Sequence, residues 1–173
     1  MSMSMDYAQM VEGCRRHDRK AQRALYDAMV QMSMGVCMRF STDRDEAQDI
    51  LQDAFVKVFE RIASLKDPEG LPTWVHSIMV NTCIDHYRRR KYWLPIDGEC
   101  EPPSNLNIDP FAAEEIVLAM QKLTPAQRTV FNLCEVEGYT QEEVAKKLKS
   151  NKLAVRVTLH RAKEQLKEIL VEG

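Results

Sequence analysis

TQEEVAKKLKSNKLAVRVTLHRAKEQL, residues 140–166, is two helices and a turn written in one line. Thr140 followed three residues later by Glu143 is a capping box, and it opens a short helix reaching about Leu148. Lys149-Ser150-Asn151 is a short turn, with Asn151 placed to cap a second helix from Lys152 to about Leu170. In that second helix Val155, Leu159, Ala162 and Leu166 form one apolar stripe, and Ala145 is small where the two helices would approach closely. The pair therefore has the length and turn of a helix-turn-helix. The stripe leaves Lys152, Leu153, Arg156, Val157, His160 and Arg161 pointing outward. Arg and Lys near the start of a second helix supply donors for the acceptors of guanine and charge for phosphate. Lys146, Lys147, Lys149 and Lys163 would add attraction that ignores base sequence. A helical hairpin with a solvated basic face fits the same pattern, so periodicity and charge alone leave both readings open.

Moving outward, Thr124-Pro125 has the order of a cap followed by proline at the first helical position. The helix it starts runs to about Glu137, where Gly138 ends it. A shorter helix spans Pro110 to Lys122. Before it lies IDGECEPPSNLNIDP, residues 96–110, rich in Pro, Asn, Asp and Gly and without apolar periodicity. Charge marks the same place. Residues 1–95 carry 14 cations and 13 anions; residues 96–115 carry six anions and no cation; residues 116–173 carry ten cations and seven anions. The net charge of −2 thus hides an acidic segment between two mildly basic ones. The reading is an all-α chain: a helical domain over 1–95, an acidic linker over 96–113 and a second helical domain over 114–173.

The N-terminal portion has the same helical periodicity. Asp18 can cap a helix to about Phe40, with Ala21, Leu25, Ala28, Met29, Met32 and Val36 on one stripe. In DEAQDILQDAFVKVFERI, residues 45–62, Ala47, Ile50, Leu51, Ala54, Phe55, Val58, Phe59 and Ile62 step by three and one. Its opposite face carries Asp45, Glu46, Asp49, Gln52, Asp53, Lys57 and Glu60. After a break at Lys66–Gly70, a helix over roughly Pro72–Lys91 ends in Arg88, Arg89, Arg90 and Lys91. One or two cations would suit the helix dipole, worth ~0.3–1 kcal/mol each; four in a row suggest an anionic partner. Its polar face holds Asn81, Thr82 and Asp85 rather than a cationic stripe, unlike a membrane-surface helix. Asp85 and Arg89 form an ordinary i,i+4 pair. Trp74, His76, Tyr87, Tyr92 and Trp93 mix aromatics with the cations, as unstacked bases would favour, although Trp74 also suits a core.

Composition narrows the class. The 173 residues are 45% hydrophobic, enough for a core, and no window approaches the ~18 apolar residues of a membrane span. No secretory signal is read at MSMSMDYAQM. The five cysteines (Cys14, Cys37, Cys83, Cys100, Cys134) contain no CxxC pair, which points to a reduced cytoplasm rather than a disulfide framework or zinc knuckle. The histidines His17, His76, His86 and His160 are dispersed, and Cys83 with His86 is too few ligands for a metal. There is no Gly-rich phosphate loop, HExxH or GxSxG, so neither an enzyme nor a cofactor is expected. Asp49 and Asp53 lie one turn apart on an exposed face and read as a solvated or partner-facing surface.

Three stretches resemble the bacterial extracytoplasmic-function sigma factors, the compact two-domain class of transcription initiation factor. Residues 45–62 resemble the helix these factors use to grip core RNA polymerase. Residues 73–91 are similar to the family pattern W-x3-I-x2-N-x3-D-x2-RR, here Trp74, Ile78, Asn81, Asp85, Arg88 and Arg89. Residues 123–166 are similar to the family's fourth sigma region, including its LHRAKEQL ending at 159–166. The resemblance implies a promoter-specificity subunit that performs no chemistry. It implies polymerase contacts at Asp49, Gln52, Asp53 and Lys57. It implies minus-10 DNA contacts at Lys66, Trp74, Asn81, Arg88, Arg89, Arg90 and Lys91, with a base pocket between the 64–71 loop and the helix carrying Asn81. It implies minus-35 contacts at Lys152, Leu153, Arg156, His160 and Arg161, and a linker threaded through polymerase. Partners would be core RNA polymerase, promoter DNA and an anti-sigma factor, with no membrane insertion. A DNA-binding regulator acting without polymerase and a helical protein-interaction module are the alternatives. The chain departs from the family at the turn, where G-I-S and x-G-T-V give way to Lys149-Ser150-Asn151 and Lys152-Leu153-Ala154-Val155. A left-handed Lys149 would cost ~1 kcal/mol, Ser150 replaces an apolar anchor, and the minus-35 sequence does not follow from the resemblance.

Overall fold

The computed structural model of the chain describes residues 6–93 and 112–172, with side chains left aside at 91–93 and 112–114. The described residues are helical, with no strand among them: α1 (Tyr7–Arg15), α2 (Arg19–Phe40), α3 (Arg44–Arg61), α4 (Leu71–Trp93), α5 (Ala112–Gln121), α6 (Pro125–Phe131), α7 (Gln141–Lys147) and α8 (Lys152–Glu172). Most of the expected acidic linker, and the Pro110 start expected for α5, lie outside the described residues. Packing divides the chain into two compact units: residues 1–37 with 47–83, and residues 38–46 with 84–173.

The first unit is built on local rules. Asp6 and Gln9 close a capping box over α1, with the Gln9 amide donating to Asp6 Oδ1 at 2.8 Å. This helix is not among those expected, although its D-x-x-Q spacing carries the signal. Gly13 is required by proximity, because a Cβ there would sit 2.3 Å from the Ala21 Cβ. Asp18 caps α2 as expected, accepting from the Lys20 amide at 2.9 Å. The α2 stripe needs correction. Ala28 and Met32 face solvent, while Ser33 and Cys37 join Ala21, Leu25, Met29 and Val36 inside. The inward face is turned away from Ala28 and Met32 towards Ser33 and Cys37, and Ser33 is small enough to be taken into it. On α3 the expected residues are buried from Ala47 to Val58, and Phe55 meets Tyr26 of α2 with ring centroids 4.7 Å apart. Leu71, Val75 and Met79 of α4 complete this core. Burying such side chains stabilises by ~1.5–3 kcal/mol each.

In the second unit, Ala119, Met120 and Leu123 pack against Ala162 and Leu166 of α8, flanked by Phe131 and Ile169. Thr124 caps α6, with a reciprocal pair to Gln127 and Pro125 at the first helical position. The expected single helix to Glu137 is interrupted. After Phe131 the backbone widens into a π-helical turn over Asn132–Val136, closed by the Glu137 amide donating to the Asn132 carbonyl at 2.9 Å. Gly138 follows at φ +78°, the left-handed shape that glycine tolerates. The buried Asn132 starts that turn and donates its side-chain amide to the Arg128 carbonyl at 3.0 Å and the Arg39 carbonyl at 2.6 Å. Arg128 is only 1% exposed. Its guanidinium donates to the Ser41 carbonyl at 2.8 Å and to Thr42 Oγ1 at 3.3 Å. Burial holds its pKa down at about 10, which still leaves it charged at neutral pH; the nearby Glu46 pulls the other way.

Candidate nucleic-acid interface

α7, its turn and α8 are held by backbone-directed side chains. Thr140 Oγ1 accepts from the Glu143 amide at 3.2 Å, and Glu143 accepts from the Thr140 amide at 2.8 Å. Those bonds keep the Glu143 carboxyl below its ordinary pKa. Lys149 takes φ +51°, the left-handed shape expected where glycine is missing. The following amide, of Ser150, donates to the Ala145 carbonyl at 2.8 Å and closes the end of α7. Asn151 Oδ1 then accepts from the Ala154 amide at 2.8 Å and starts α8.

With both helix ends fixed, the outward face of α8 is determined. Val155, Leu159, Ala162 and Leu166 are buried, as expected. Lys152, Leu153, Arg156, Val157, His160 and Arg161 are all exposed. Two of the four supporting lysines have other engagements. Lys147 lies over the Tyr139 ring at 4.6 Å, and Lys163 pairs with Glu135 at 2.7 Å. Lys146 and Lys149 remain exposed.

α4 presents a second cationic element. Val75, Ile78, Met79, Val80, Thr82, Cys83 and Ile84 turn inward. Thr82 is pinned by donating to the Ile78 carbonyl at 2.7 Å, and Lys57 Nζ donates to Thr82 Oγ1 at 3.3 Å. Lys57, expected on the outer face of α3, therefore reaches towards α4, while Asp49, Gln52 and Asp53 stay exposed. Trp74 is half-buried, Asn81 is exposed, and their seven-residue spacing puts both on one face of α4. Lys66 is exposed in the stretch before α4, where Asp67 accepts from the Glu69 amide at 3.1 Å and orders the turn Pro68–Gly70.

The four cations at the end of α4 are not equivalent. Arg88 is partly buried and Arg89 is exposed. Arg90 is taken up by Glu46, which also accepts from the Thr42 amide at 2.6 Å and lies 3.6 Å from His86 Nδ1. The Lys91 side chain lies outside the described residues. Glu46, placed by sequence among the solvated acids of α3, is instead the organising carboxylate of this corner. Burial raises the pKa of the Tyr87 phenol. Among the described residues no group of three or more His, Cys, Asp and Glu could hold a metal. No helix among them is long and apolar enough to cross a membrane. The arrangement suits non-covalent contact with a polyanion through two helices: α4 near its end and α8 near its start.

Comparison with known proteins matches these two portions in order. Residues 25–92 match the sigma-70 region 2 family, and residues 113–166 match sigma-70 region 4. The chain is 31% identical over 135 residues to the RNA polymerase sigma-E factor of Streptomyces coelicolor, covering 77% of this chain and 76% of that protein. It is 29% identical over 143 residues to the ECF RNA polymerase sigma factor SigE of Mycolicibacterium smegmatis, covering 78% of this chain but only 55% of that longer protein. Its fold is similar to the sigma factor RpoE solved with the anti-sigma factor NepR from Bartonella quintana, with a TM-score of 0.51, 18% identity, and 84% and 93% of the two chains covered.

Proposed function

The chain belongs to the extracytoplasmic-function class of RNA polymerase sigma factors, and on that footing we propose how its parts divide the work of starting transcription. It is a promoter-specificity subunit, and the bond-making chemistry belongs to polymerase. Residues 1–95 bind core enzyme and the minus-10 element, residues 96–113 form the linker, and residues 114–173 bind the minus-35 element. Asp49, Gln52 and Asp53 meet polymerase, with Lys57 supporting them from behind through Thr82.

Promoter opening follows from what a duplex hides. A base shows its Watson–Crick edge only after leaving the stack, at a cost of a few kcal/mol. Arg88, Arg89 and Lys91 offset that cost on the backbone. Asn81 and Trp74 lie where an extruded base would be held, beside Lys66 and the 64–71 loop. Arg90 supports the site by fixing the end of α4 to Glu46. Lys152, Leu153, Arg156, His160 and Arg161 lie in the major groove of the upstream box. The acidic 96–113 segment suits a channel that otherwise holds nucleic acid. The working compartment is the cytoplasm, and an anti-sigma factor is the natural regulator, as one is bound in the RpoE relative's structure.

The observation that carries this reading is the exposed cationic front of α8 on a capped helix-turn-helix, following in order a helix that exposes Asn81 and Arg89. Asn81→Ala tests the assignment. With core polymerase, it is expected to reduce promoter opening about tenfold or more while leaving core affinity unchanged. Equal loss of core affinity and transcription would assign Asn81 to the polymerase contact instead.

A further inference from the structure

α8 exposes more than cations. Leu153 is 61% exposed and Val157 is 41% exposed, and they stand four residues apart, on the side of the helix facing away from Val155, Leu159 and Ala162. Arg156 flanks them on one side and Arg161 on the other. A merely solvated basic face gains nothing from a leucine and a valine at its centre. Leu170 and Val171 are exposed too, but at the far end of α8. Leu153 and Val157 occupy the first two turns, the part of a recognition helix that meets base edges.

We propose that Leu153 and Val157 read thymine methyl groups in the upstream promoter box. The inference rests on the reading of α8 as the helix that enters the major groove. On the floor of that groove the base pairs display donors, acceptors and one apolar group, the C5-methyl of thymine. An apolar side chain placed there desolvates the amino group of cytosine or adenine without replacing its hydrogen bonds, and gains contact only against thymine. Val157 is branched at Cβ and stiff in a helix, so its methyls are held in place before binding. Four helical residues rise about 6 Å, roughly two base-pair steps of about 3.4 Å. The box is therefore expected to contain thymine, on either strand, at two positions within three consecutive base pairs. Arg156 and Arg161 supply the phosphate or guanine contacts around them.

The test uses holoenzyme assembled from the full chain and bacterial core RNA polymerase, on promoter duplexes randomised in the upstream box. The wild-type selection is expected to enrich two such thymines. Each is then replaced by deoxyuridine, which pairs identically but lacks the methyl. Wild type should lose about fourfold in affinity per replacement, the equivalent of ~0.8 kcal/mol for one buried methyl-sized group. Leu153→Ala and Val157→Ala should each lose a similar factor on thymine and become indifferent to uracil at one position. Both side chains are exposed, so these variants retain the fold. Arg156→Ala is run in parallel. If uracil and thymine bind wild type alike while Arg156→Ala still erases the upstream preference, methyl reading is overturned and α8 remains the reader. If neither change affects selection, α8 is not the reader and both ideas fall. Sensitivity to uracil that survives in both alanine variants also overturns the proposal.

Discussion

The last turns of α4 and the first turns of α8 contain the same residue types and use them differently. At the end of α4, Arg90 is exposed but paired with Glu46, a carboxylate 44 positions earlier, Arg88 is partly buried, and Arg89 is exposed. At the start of α8, Lys152, Arg156 and Arg161 are all exposed, and the fixing of the helix falls to Asn151 outside that face. In one place a cation holds the protein together and its neighbour is left for the ligand. In the other, a short polar cap sets the geometry and every outward cation is available. A run of arginines is therefore not a unit of function. What each one does depends on which carboxylates the fold brings near it.

The largest expected effect comes from the cation most fully drawn into the protein. Arg128→Ala removes a buried guanidinium together with its hydrogen bonds to the Ser41 carbonyl and Thr42 Oγ1, which should destabilise by about 3 kcal/mol in urea unfolding. A loss within 0.5 kcal/mol would mean that the contact contributes little in solution. At the other extreme of the comparison, Arg156→Ala should leave stability unchanged and cost ~1–3 kcal/mol in upstream-box discrimination by holoenzyme. An unaltered preference across a library of upstream variants would identify a different reader. Next in size is the contrast between neighbours. Arg90→Ala should cost about 1 kcal/mol of stability, whereas Arg89→Ala should spare stability and slow promoter opening. Chemical denaturation beside an open-complex assay separates the two, and a reversal would show that Glu46 releases Arg90 to DNA. The smallest effect is a gain. Lys149→Gly should relieve the left-handed strain at φ +51° and raise the melting free energy by ~0.5–1 kcal/mol.

Local chemistry was legible in the sequence and distant pairing was not. Capping residues act within three positions, so Asp18, Thr124, Thr140 and Asn151 announced α2, α6, α7 and α8 correctly. The stripe of α8 assigned both its buried and its outward residues, because one face packs on a core and the other is exposed among the described residues. The same reasoning failed at Ala28 and Met32, where apolar character alone drew the inward face of α2 away from the buried Ser33 and Cys37. Arg128, Glu46, Lys57 and Lys163 escaped for a common reason. Each is a charged residue whose partner lies on another element, and no spacing rule encodes that partner. The π turn at Asn132 escaped because it hangs on a side-chain amide reaching the Arg39 carbonyl, 93 positions away.

The most direct test of the central claim mixes the full chain with bacterial core RNA polymerase lacking any other sigma factor, at physiological salt, and follows it by size exclusion and promoter selection. The account predicts one-to-one co-elution and enrichment of fragments carrying two spaced boxes, only when both components are present. A chain that stays apart from core enzyme and selects DNA by itself would contradict it.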